Sequence, residues 1–280
     1  MRAKRKTVLC ALCLGFLLPL PAAAQQPATS AGAENSQTQS DSLSDLSPQN
    51  RALFDAIHDA SQTGRNGDLL ADGKKLLPAL RPDSRLANFV AELMTQAALE
   101  TGDNSYALTL IKPLATAHPD DWHAAALLAR VYAETGDKTQ RDEQIAHLQA
   151  LHKQTTDQNF ANLHVFPIQK VQLHTGYAVF LYAFEPLAPF KTYLVALVYT
   201  SDDKVDYRLQ LESSDMDQAF LKPKKPGERR FSVDSYRTTE VDGKQSESQA
   251  LHGFVDGVFD YDRMRDLMVK SANGERLPGN

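Results

Sequence analysis

Cysteine is almost absent from this chain of 280 residues, which has only Cys10 and Cys13. Beyond residue 13 the sequence therefore excludes disulfide bonds, thiolate metal sites and cysteine nucleophiles. Long hydrophobic runs are missing as well. The longest covers 13 residues from Val8 to Leu20, whereas a membrane-spanning helix needs about 20 apolar residues.

Motifs that carry enzymatic chemistry are also scarce. The chain has neither a Gly-x-Ser-x-Gly nucleophile elbow nor a glycine-rich phosphate loop. His164, His174 and His252 lack the paired spacing of metal ligands, so we expect them to make local contacts. The sequence thus favours a protein that is not an enzyme and that needs no cofactor.

Two groups of acidic and histidine side chains could suggest metal ligands. The first surrounds Pro119, where a Pro-Asp-Asp turn suits a junction between helices and Asp121 can cap the next helix. The second lacks the alternating oxygen ligands and the closing glutamate of a calcium-binding EF-hand loop. We interpret both as caps and solvated surface, with no bound metal. Their members are His118, Asp120, Asp121 and His123, and Asp256, Asp260, Asp262 and Asp266.

The N-terminus has the three parts of a secretory signal. A basic segment from Arg2 to Lys6 precedes the apolar run, and Ala22-Ala23-Ala24 supplies small residues for cleavage before Gln25. We expect residues 1–24 to be a signal peptide cleaved after Ala24, with the periplasm or the medium as the destination. An uncleaved N-terminal anchor is the alternative.

The charge balance of the rest of the chain is acidic. Loss of residues 1–24 leaves 26 basic and 35 acidic residues, a net charge of −9, which argues against nucleic-acid binding. Residues 25–47 are polar with little to bury, which predicts a disordered linker. Pro48 stands at a position that is favoured in the first turn of a helix, so we expect the first helix to begin there.

Three Gly-Asp pairs recur at the period of a helical repeat. They are Gly67-Asp68, Gly102-Asp103 and Gly136-Asp137, with separations of 35 and 34 residues. Apolar residues precede them at three- and four-residue steps, as on one face of a helix, and each glycine is expected to supply a tight turn. The middle pair is followed by Ala107, a small residue that lets two helices approach, and by Pro119, which ends the second helix.

Residues 50–153 resemble the tetratricopeptide repeat family, whose period is about 34 residues. Asp72 and Arg141 stand where Ala107 would align in the outer repeats, and terminal repeats are expected to be atypical. The resemblance implies an α-solenoid of about three helical hairpins over residues 48–155. It also implies that this part of the chain binds other proteins and does no chemistry.

Members of the family bind peptides in a concave groove lined by first-helix residues, and the resemblance places seven residues of this chain there. Where some members clamp a C-terminal carboxylate with Lys and Asn, this chain has Glu92, Gln96, Ala126 and Arg130. The mixed, acidic groove implies a basic or neutral peptide partner. Packing of this face against the following domain is the alternative. The seven residues are Phe89, Glu92, Gln96, Glu100, His123, Arg130 and Glu134.

After residue 155, strand-like patterns replace helical spacing. Residues 205–212 alternate apolar and polar side chains, which predicts a half-buried strand with Asp206, Arg208, Gln210 and Glu212 on the wet face. Residues 177–184 and 193–199 are apolar at nearly every position, which predicts strands covered on both faces. Asp242-Gly243 indicates a type I′ hairpin turn between strands at 230–239 and 249–255.

Asp260 is expected to cap a closing helix whose Tyr261, Met264, Leu267 and Met268 lie on the sheet. The second domain is predicted to hold about six mainly antiparallel strands and this helix over residues 160–272, before a flexible tail at 273–280. The fold class is therefore α+β, a helical solenoid followed by an antiparallel β domain.

A basic stretch, broken by Pro223 and Pro226, precedes the hairpin. The simplest interpretation is a solvated loop between strands. The alternative is contact with an anionic partner, such as lipid headgroups or an acidic glycan. Its members are Lys222, Lys224, Lys225, Arg229 and Arg230.

These features predict an exported, non-enzymatic adaptor of the bacterial cell envelope, whose helical repeats dock a partner protein or peptide. The β domain would extend that interface, bind a second ligand or cap the last helix. The alternative is that the β domain binds a small molecule or glycan, or is an unrecognised enzyme, with the repeats as an accessory. Its aromatic side chains would suit a lined pocket. They are Tyr177, Tyr182, Phe184, Tyr193, Tyr199 and Tyr207.

Overall fold

A computed structural model describes residues 43–187, 191–223, 225–241 and 244–277. It shows an α+β chain, with helices first and then a six-stranded antiparallel sheet and a closing helix, as predicted. The expected signal peptide, most of the expected linker and the pair Asp242-Gly243 lie outside the described residues. The chain divides into two compact units, with the boundary between His118 and Pro119.

The first unit contains two helical hairpins. Its helices are α1 (Pro48–Thr63), α2 (Asn66–Leu76), α3 (Arg85–Glu100) and α4 (Asn104–Ala117), with short 3-10 turns at Leu43–Asp45 and Leu77–Ala79. Helix α3 contacts both α2 and α4, so the two hairpins share one hydrophobic core. Three helix starts are capped by side chains: the Ser47 and Ser84 hydroxyls and the Asp103 carboxylate each accept a bond from a backbone N–H of the first turn. Helix α1 begins at Pro48, as predicted, but ordered structure starts earlier, because Leu43 and Leu46 pack on this core.

The same turn joins the helices of three hairpins. Gly64, Gly102 and Gly136 have φ between 67° and 79°, a left-handed conformation that glycine adopts without strain. In each turn the residue after the glycine donates its N–H to the carbonyl oxygen five residues earlier, as in a Schellman motif. These bonds join Arg65 to Ala60, Asp103 to Ala98 and Asp137 to Tyr132.

The first Gly-Asp pair does not form the turn that the sequence pattern predicted. Gly67 lies inside α2, and Asp68 belongs to its first turn, where the carboxylate pairs with Arg65 at 3.0 Å. Gly64 forms the turn instead, in the left-handed conformation directly after Thr63, the last residue of α1.

Gly102 and Gly67 are expected to respond in opposite ways to alanine. Alanine at Gly102 would have to adopt φ of 79°, which costs about 1–2 kcal/mol. Gly67 has ordinary helical geometry and nothing within 4 Å of a Cβ, so Gly67→Ala should leave stability unchanged or raise it by up to about 1 kcal/mol. Urea unfolding followed by far-UV circular dichroism checks both. A shift of the same sign and size in the two variants would contradict the turn assignment.

The second unit contains a third hairpin, the sheet and the closing helix. The helices are α5 (Trp122–Thr135), α6 (Lys138–Gln154), α7 (Gln158–Ala161), α8 (Asp215–Gln218) and α9 (Tyr261–Ala272). The strands are β1 (Val165–Gln172), β2 (Gly176–Leu187), β3 (Thr192–Thr200), β4 (Val205–Glu212), β5 (Arg229–Val241) and β6 (Lys244–Gly257). The Asp121 carboxylate caps α5, as expected.

The strands lie in the sheet in chain order, and each pairs antiparallel with the next. Val241 pairs directly with Lys244, which confirms the predicted hairpin between β5 and β6. The predicted alternation of β4 holds for Leu209 and Leu211, which are fully buried. It is wrong at both ends of the strand: Val205 is 53% exposed, and Glu212, expected on the wet face, is only 5% exposed. The buried Glu212 carboxylate is hydrogen-bonded by Tyr236 and Thr192, which offsets part of the cost of its burial.

Aromatic side chains join the third hairpin to the sheet. Phe160 of α7 stacks on Trp122 of α5 with ring centroids 4.6 Å apart, and it meets Phe184 of β2 edge-on at 5.4 Å. His152 of α6 stacks on Phe184 at 4.3 Å, and Phe184 also contacts Phe166 of β1. Helices α5, α6 and α7 therefore belong to the hydrophobic core of the sheet.

Helix α9 closes the second unit as the sequence predicted. The Asp260 carboxylate accepts a bond from the Arg263 N–H at 2.8 Å, and the four apolar residues expected to face the sheet are buried. Leu277, within the predicted flexible tail, is also buried, at 3% exposure. Of the helices in the described ranges, none combines the length and apolar character needed to cross a bilayer.

Candidate functional site

Four of the seven predicted groove residues lie along one side of α3. Phe89, Glu92, Gln96 and Glu100 follow at steps of three and four residues, which places them on one helical face. Glu100 is exposed and the other three are half-buried. The Phe89 ring packs beside Phe54 of α1, with centroids 6.3 Å apart. This α3 face thus presents one anchored aromatic ring beside acidic and amide side chains.

The other three predicted groove residues lie on α5, in the second unit. The Glu134 carboxylate accepts a hydrogen bond from the Lys170 backbone N–H of β1 at 2.8 Å. Next to it, the Gln169 amide donates to the Ala133 carbonyl at 3.2 Å. Arg130 is only 8% exposed, and His123 stacks on Trp122 at 3.6 Å. The C-terminal end of α5, at Ala133 and Glu134, therefore contacts the first strand of the sheet.

An ion-pair cluster that the sequence did not reveal ties α9 to α6. The Asp262 carboxylate of α9 accepts hydrogen bonds from the Arg141 and Arg265 guanidinium groups, both at 2.9 Å. It also lies 3.1 Å from the Lys138 ammonium group. Burial raises the pKa of Asp262, but hydrogen bonds from Arg141 and Lys138, together with the positive charges of Arg141 and Arg265, outweigh burial and hold that pKa below its ordinary value. The Arg141 side chain is 3% exposed, and its guanidinium lies 4.6 Å from the Tyr261 ring centroid.

The sequence position of Arg141 indicates that its charge is buried and paired. Arg141 follows its turn glycine by five residues, as buried Ala107 does in the preceding hairpin. A charged residue at a position that packs against a neighbour must be buried with a counter-ion. The sequence alone could not show that the counter-ion is Asp262, which is 121 residues away.

A cleft of about 800 Å³ with many charged side chains opens beside this cluster, between α6, β5, β6 and α9. Arg230 and Asp256 form a two-bond ion pair in it, at 2.7 and 2.8 Å, and Phe254 lies beside the Arg230 guanidinium. The bond from Arg230 lowers the pKa of Asp256 below its ordinary value, so this carboxylate is ionised at neutral pH. Among the described residues, those that line the cleft include no histidine and no hydroxyl side chain.

The aromatic residues predicted as candidates for a lined pocket do not line this cleft. Tyr182 packs against Phe166 and Tyr261, and Tyr193 meets Phe231 edge-on. Tyr177 and Tyr199 stack on each other at 4.8 Å. These rings therefore pack against other aromatic side chains of the second unit and do not line the cleft.

The four aspartates near the C-terminus each have a protein partner. Asp256 pairs with Arg230, Asp260 caps α9, Asp262 binds Arg141, and Asp266 lies 2.7 Å from Arg265. In the part of the chain that the structure describes, no group of three or more acidic or histidine side chains is placed to hold a metal ion.

Two carboxylates, Glu212 and Asp234, are buried on adjacent strands, each 5% exposed. The Tyr236 hydroxyl donates to Glu212 at 3.2 Å, and the Gln249 amide donates to Asp234 at 3.1 Å. Burial and the neighbouring Asp234 raise the pKa of Glu212 above its ordinary value, more than the bonds from Tyr236 and Thr192 lower it.

Replacement of Glu212 by glutamine is expected to stabilise the protein at neutral pH. A carboxyl whose pKa is raised by folding costs stability when it is ionised, and the cost disappears as the pH falls through the folded-state pKa. Glu212→Gln should therefore unfold at higher urea concentration than wild type at pH 7, with no gain below pH 4. Glu247→Gln, at an exposed pair with Arg208, is the control and should show little change. An unchanged or lower midpoint for Glu212→Gln at pH 7 would contradict the shift.

Comparison with protein-family models, with curated proteins and with solved structures gives no match to this chain. Support for a function therefore comes from the geometry of the molecule itself.

Proposed function

We propose that this protein is an exported, non-enzymatic adaptor of the bacterial cell envelope, in which tetratricopeptide-like hairpins dock a partner protein. The observation that carries the proposal is the α3 face, where Phe89 is held against Phe54 and flanked by Glu92, Gln96 and Glu100. An aromatic anchor with adaptable polar neighbours is the usual make-up of a protein-binding surface.

The repeat character of the hairpins is supported by their turns. Three turns share a left-handed glycine and the same backbone bond, and the glycines are 38 and 34 residues apart. In the first unit α2 packs on α3, so one hairpin stacks on the next, as successive repeats do in a solenoid. Ala107 is fully buried at the position where the family has a small residue.

The chemistry of the α3 face favours a basic or neutral peptide. The face carries two carboxylates and one amide and no basic residue among its four members. Capture of a C-terminal carboxylate would need Lys and Asn at positions where this chain has Glu92 and Gln96. Of the α5 residues of the predicted groove, Glu134 contacts β1 and Arg130 is buried, so we assign partner binding to the α3 face.

Affinity capture from envelope extract tests the proposal. The bait is the chain from Gln25 to Asn280, compared with Glu92→Lys/Gln96→Lys and with the control Ser105→Lys/Thr109→Lys on exposed positions of α4. A partner bound by wild type and by the control, but lost from the α3 variant with an unchanged circular dichroism spectrum, would support it. Retention by the α3 variant, or loss from the control alone, would place binding elsewhere.

The cleft of the second unit favours a second candidate function, binding of a small polar ligand such as a saccharide. A planar guanidinium–carboxylate pair offers donors and acceptors to neighbouring hydroxyl groups, and Phe254 adds an apolar surface beside them. Thermal-shift measurements with a panel of saccharides, on wild type and Asp256→Asn, test it. Stabilisation that the substitution abolishes would support ligand binding in the cleft, and the absence of any shift would contradict it.

A further inference from the structure

The segment between β4 and β5 carries the two most exposed large hydrophobic side chains in the described ranges. Met216 is 76% exposed and Phe220 is 71% exposed. Met216 lies in α8, and backbone bonds from Ala219 to Asp215 and from Leu221 to Gln218 continue the turn past the helix. Met216 and Phe220 are therefore about one helical turn apart and form one exposed apolar patch, the 216/220 patch.

This patch is held in place by the sheet. The Gln218 amide donates to the Arg230 carbonyl at 2.8 Å and to the Ser213 hydroxyl at 3.0 Å, and its oxygen accepts from the Arg230 N–H at 3.2 Å. Single exposed apolar residues are common on protein surfaces, whereas contiguous exposed apolar patches mark interaction sites. The segment therefore presents the two side chains on a defined turn.

Positive charge follows directly after the patch. Lys222 and Lys225 are exposed, and within the described ranges neither ammonium group has an ion-pair partner. Lys191 is also exposed nearby, where it pairs with Asp215 at 2.8 Å. Exposed lysines without counter-ions beside an apolar patch complement a partner whose outer layer is anionic and whose interior is apolar.

An anionic lipid bilayer has these two properties. Apolar side chains enter the boundary between headgroups and acyl chains, while lysines remain at the level of the phosphates. A soluble acidic polymer would attract the lysines but would leave Met216 and Phe220 in water. A neutral bilayer would bury these two side chains but would attract the lysines only weakly. Charge and apolar exposure together thus favour the bilayer over either alternative.

We propose that the 216/220 patch docks this protein on the surface of an anionic membrane, with Met216 and Phe220 inserted among the headgroups and Lys222 and Lys225 in contact with phosphates. The proposal is independent of the α3 face, which belongs to the other unit. Docking of this kind needs no membrane-spanning helix.

Vesicle co-sedimentation tests this proposal. The chain from Gln25 to Asn280, which lacks the apolar leader, is mixed at low salt with phosphatidylglycerol–phosphatidylethanolamine vesicles or with phosphatidylcholine vesicles. The anionic vesicles should bind at least tenfold more protein, and high salt should weaken binding. Met216→Ser/Phe220→Ser and Lys222→Glu/Lys225→Glu should each reduce binding at least tenfold. Leu251→Ser/Val258→Ser, at exposed hydrophobic residues elsewhere in the same unit, is the control and should bind like wild type.

Three outcomes would overturn the proposal. The first is the absence of binding to anionic vesicles, and the second is equal binding by wild type and both patch variants. The third is loss of binding in the lysine variant alone, which would indicate electrostatic attraction to the vesicle surface without insertion of Met216 and Phe220. Circular dichroism of each variant confirms folding, and because all six positions are exposed, we expect the variants to fold.

Discussion

Replacing Asp262 by alanine is expected to lower the free energy of unfolding of the second unit by about 3 kcal/mol, because removal of one partner of a buried ion pair leaves a buried charge uncompensated. The charge left behind is Arg141, whose side chain is 3% exposed and whose remaining ion pair is with the exposed Asp142. The fluorescence of Trp122 measures this effect directly, since it is the single tryptophan of the chain and lies in the second unit.

The destabilisation should depend on pH in a definite direction. The folded-state pKa of Asp262 is lowered, so its contribution is present above the unfolded-state pKa and is lost as the pH falls through the folded-state value. The difference between wild type and Asp262→Ala should therefore be full at pH 7 and shrink in acid.

Two further variants control this experiment. Asp266→Ala removes an exposed carboxylate that pairs with Arg265, and it should cost less than about 1 kcal/mol. The double variant Arg141→Leu/Asp262→Leu removes both charges and should be more stable than Asp262→Ala alone. A loss as large for Asp266→Ala as for Asp262→Ala would contradict the assignment of Asp262 as the centre of the cluster.

Replacing Phe160 by alanine is the second large effect, with an expected cost of about 3–5 kcal/mol, the usual range for truncation of a buried phenylalanine. Phe160 is 2% exposed and lies between Trp122, His152 and Phe184, which belong to α5, α6 and β2. The truncation leaves a cavity between the third hairpin and the sheet. It should also alter the Trp122 emission spectrum of the folded protein, since the stacked ring is removed.

Phe220→Ala is the matched control, because Phe220 is 71% exposed and its truncation should change stability by less than about 0.5 kcal/mol. Urea unfolding followed by Trp122 fluorescence compares the two variants. A small effect of Phe160→Ala would mean that α5, α6 and α7 are not part of the core of the sheet.

The sequence predicted features that depend on neighbours along the chain. Asp260 was identified as a helix cap, and the buried face of α9 was correct, because caps and helical periodicity are set within a few residues. The β5–β6 hairpin was identified for the same reason, since an Asp-Gly pair between two extended segments selects a two-residue turn.

The sequence-based predictions were wrong or incomplete where a local pattern was compatible with two structures, or where contacts between residues far apart in the chain determine the structure. Gly64 and Gly67 were both available as the first turn, and the end of α1 selected Gly64. Glu212 alternates like a solvent-facing residue but is buried, with hydrogen bonds from Tyr236 and Thr192 on neighbouring strands. The contact of Glu134 with Lys170 joins residues 36 positions apart, so periodicity could not reveal it.

Site-specific photo-crosslinking tests the central claim, that partner binding resides on the α3 face, most directly. Benzoyl-phenylalanine is placed at Gln96 of α3 or, as a control, at Thr109 of α4, in the otherwise unchanged chain expressed in cells with its leader. The account predicts a discrete crosslinked partner from position 96 and none from position 109. The same products from both positions, or none from position 96, would contradict it.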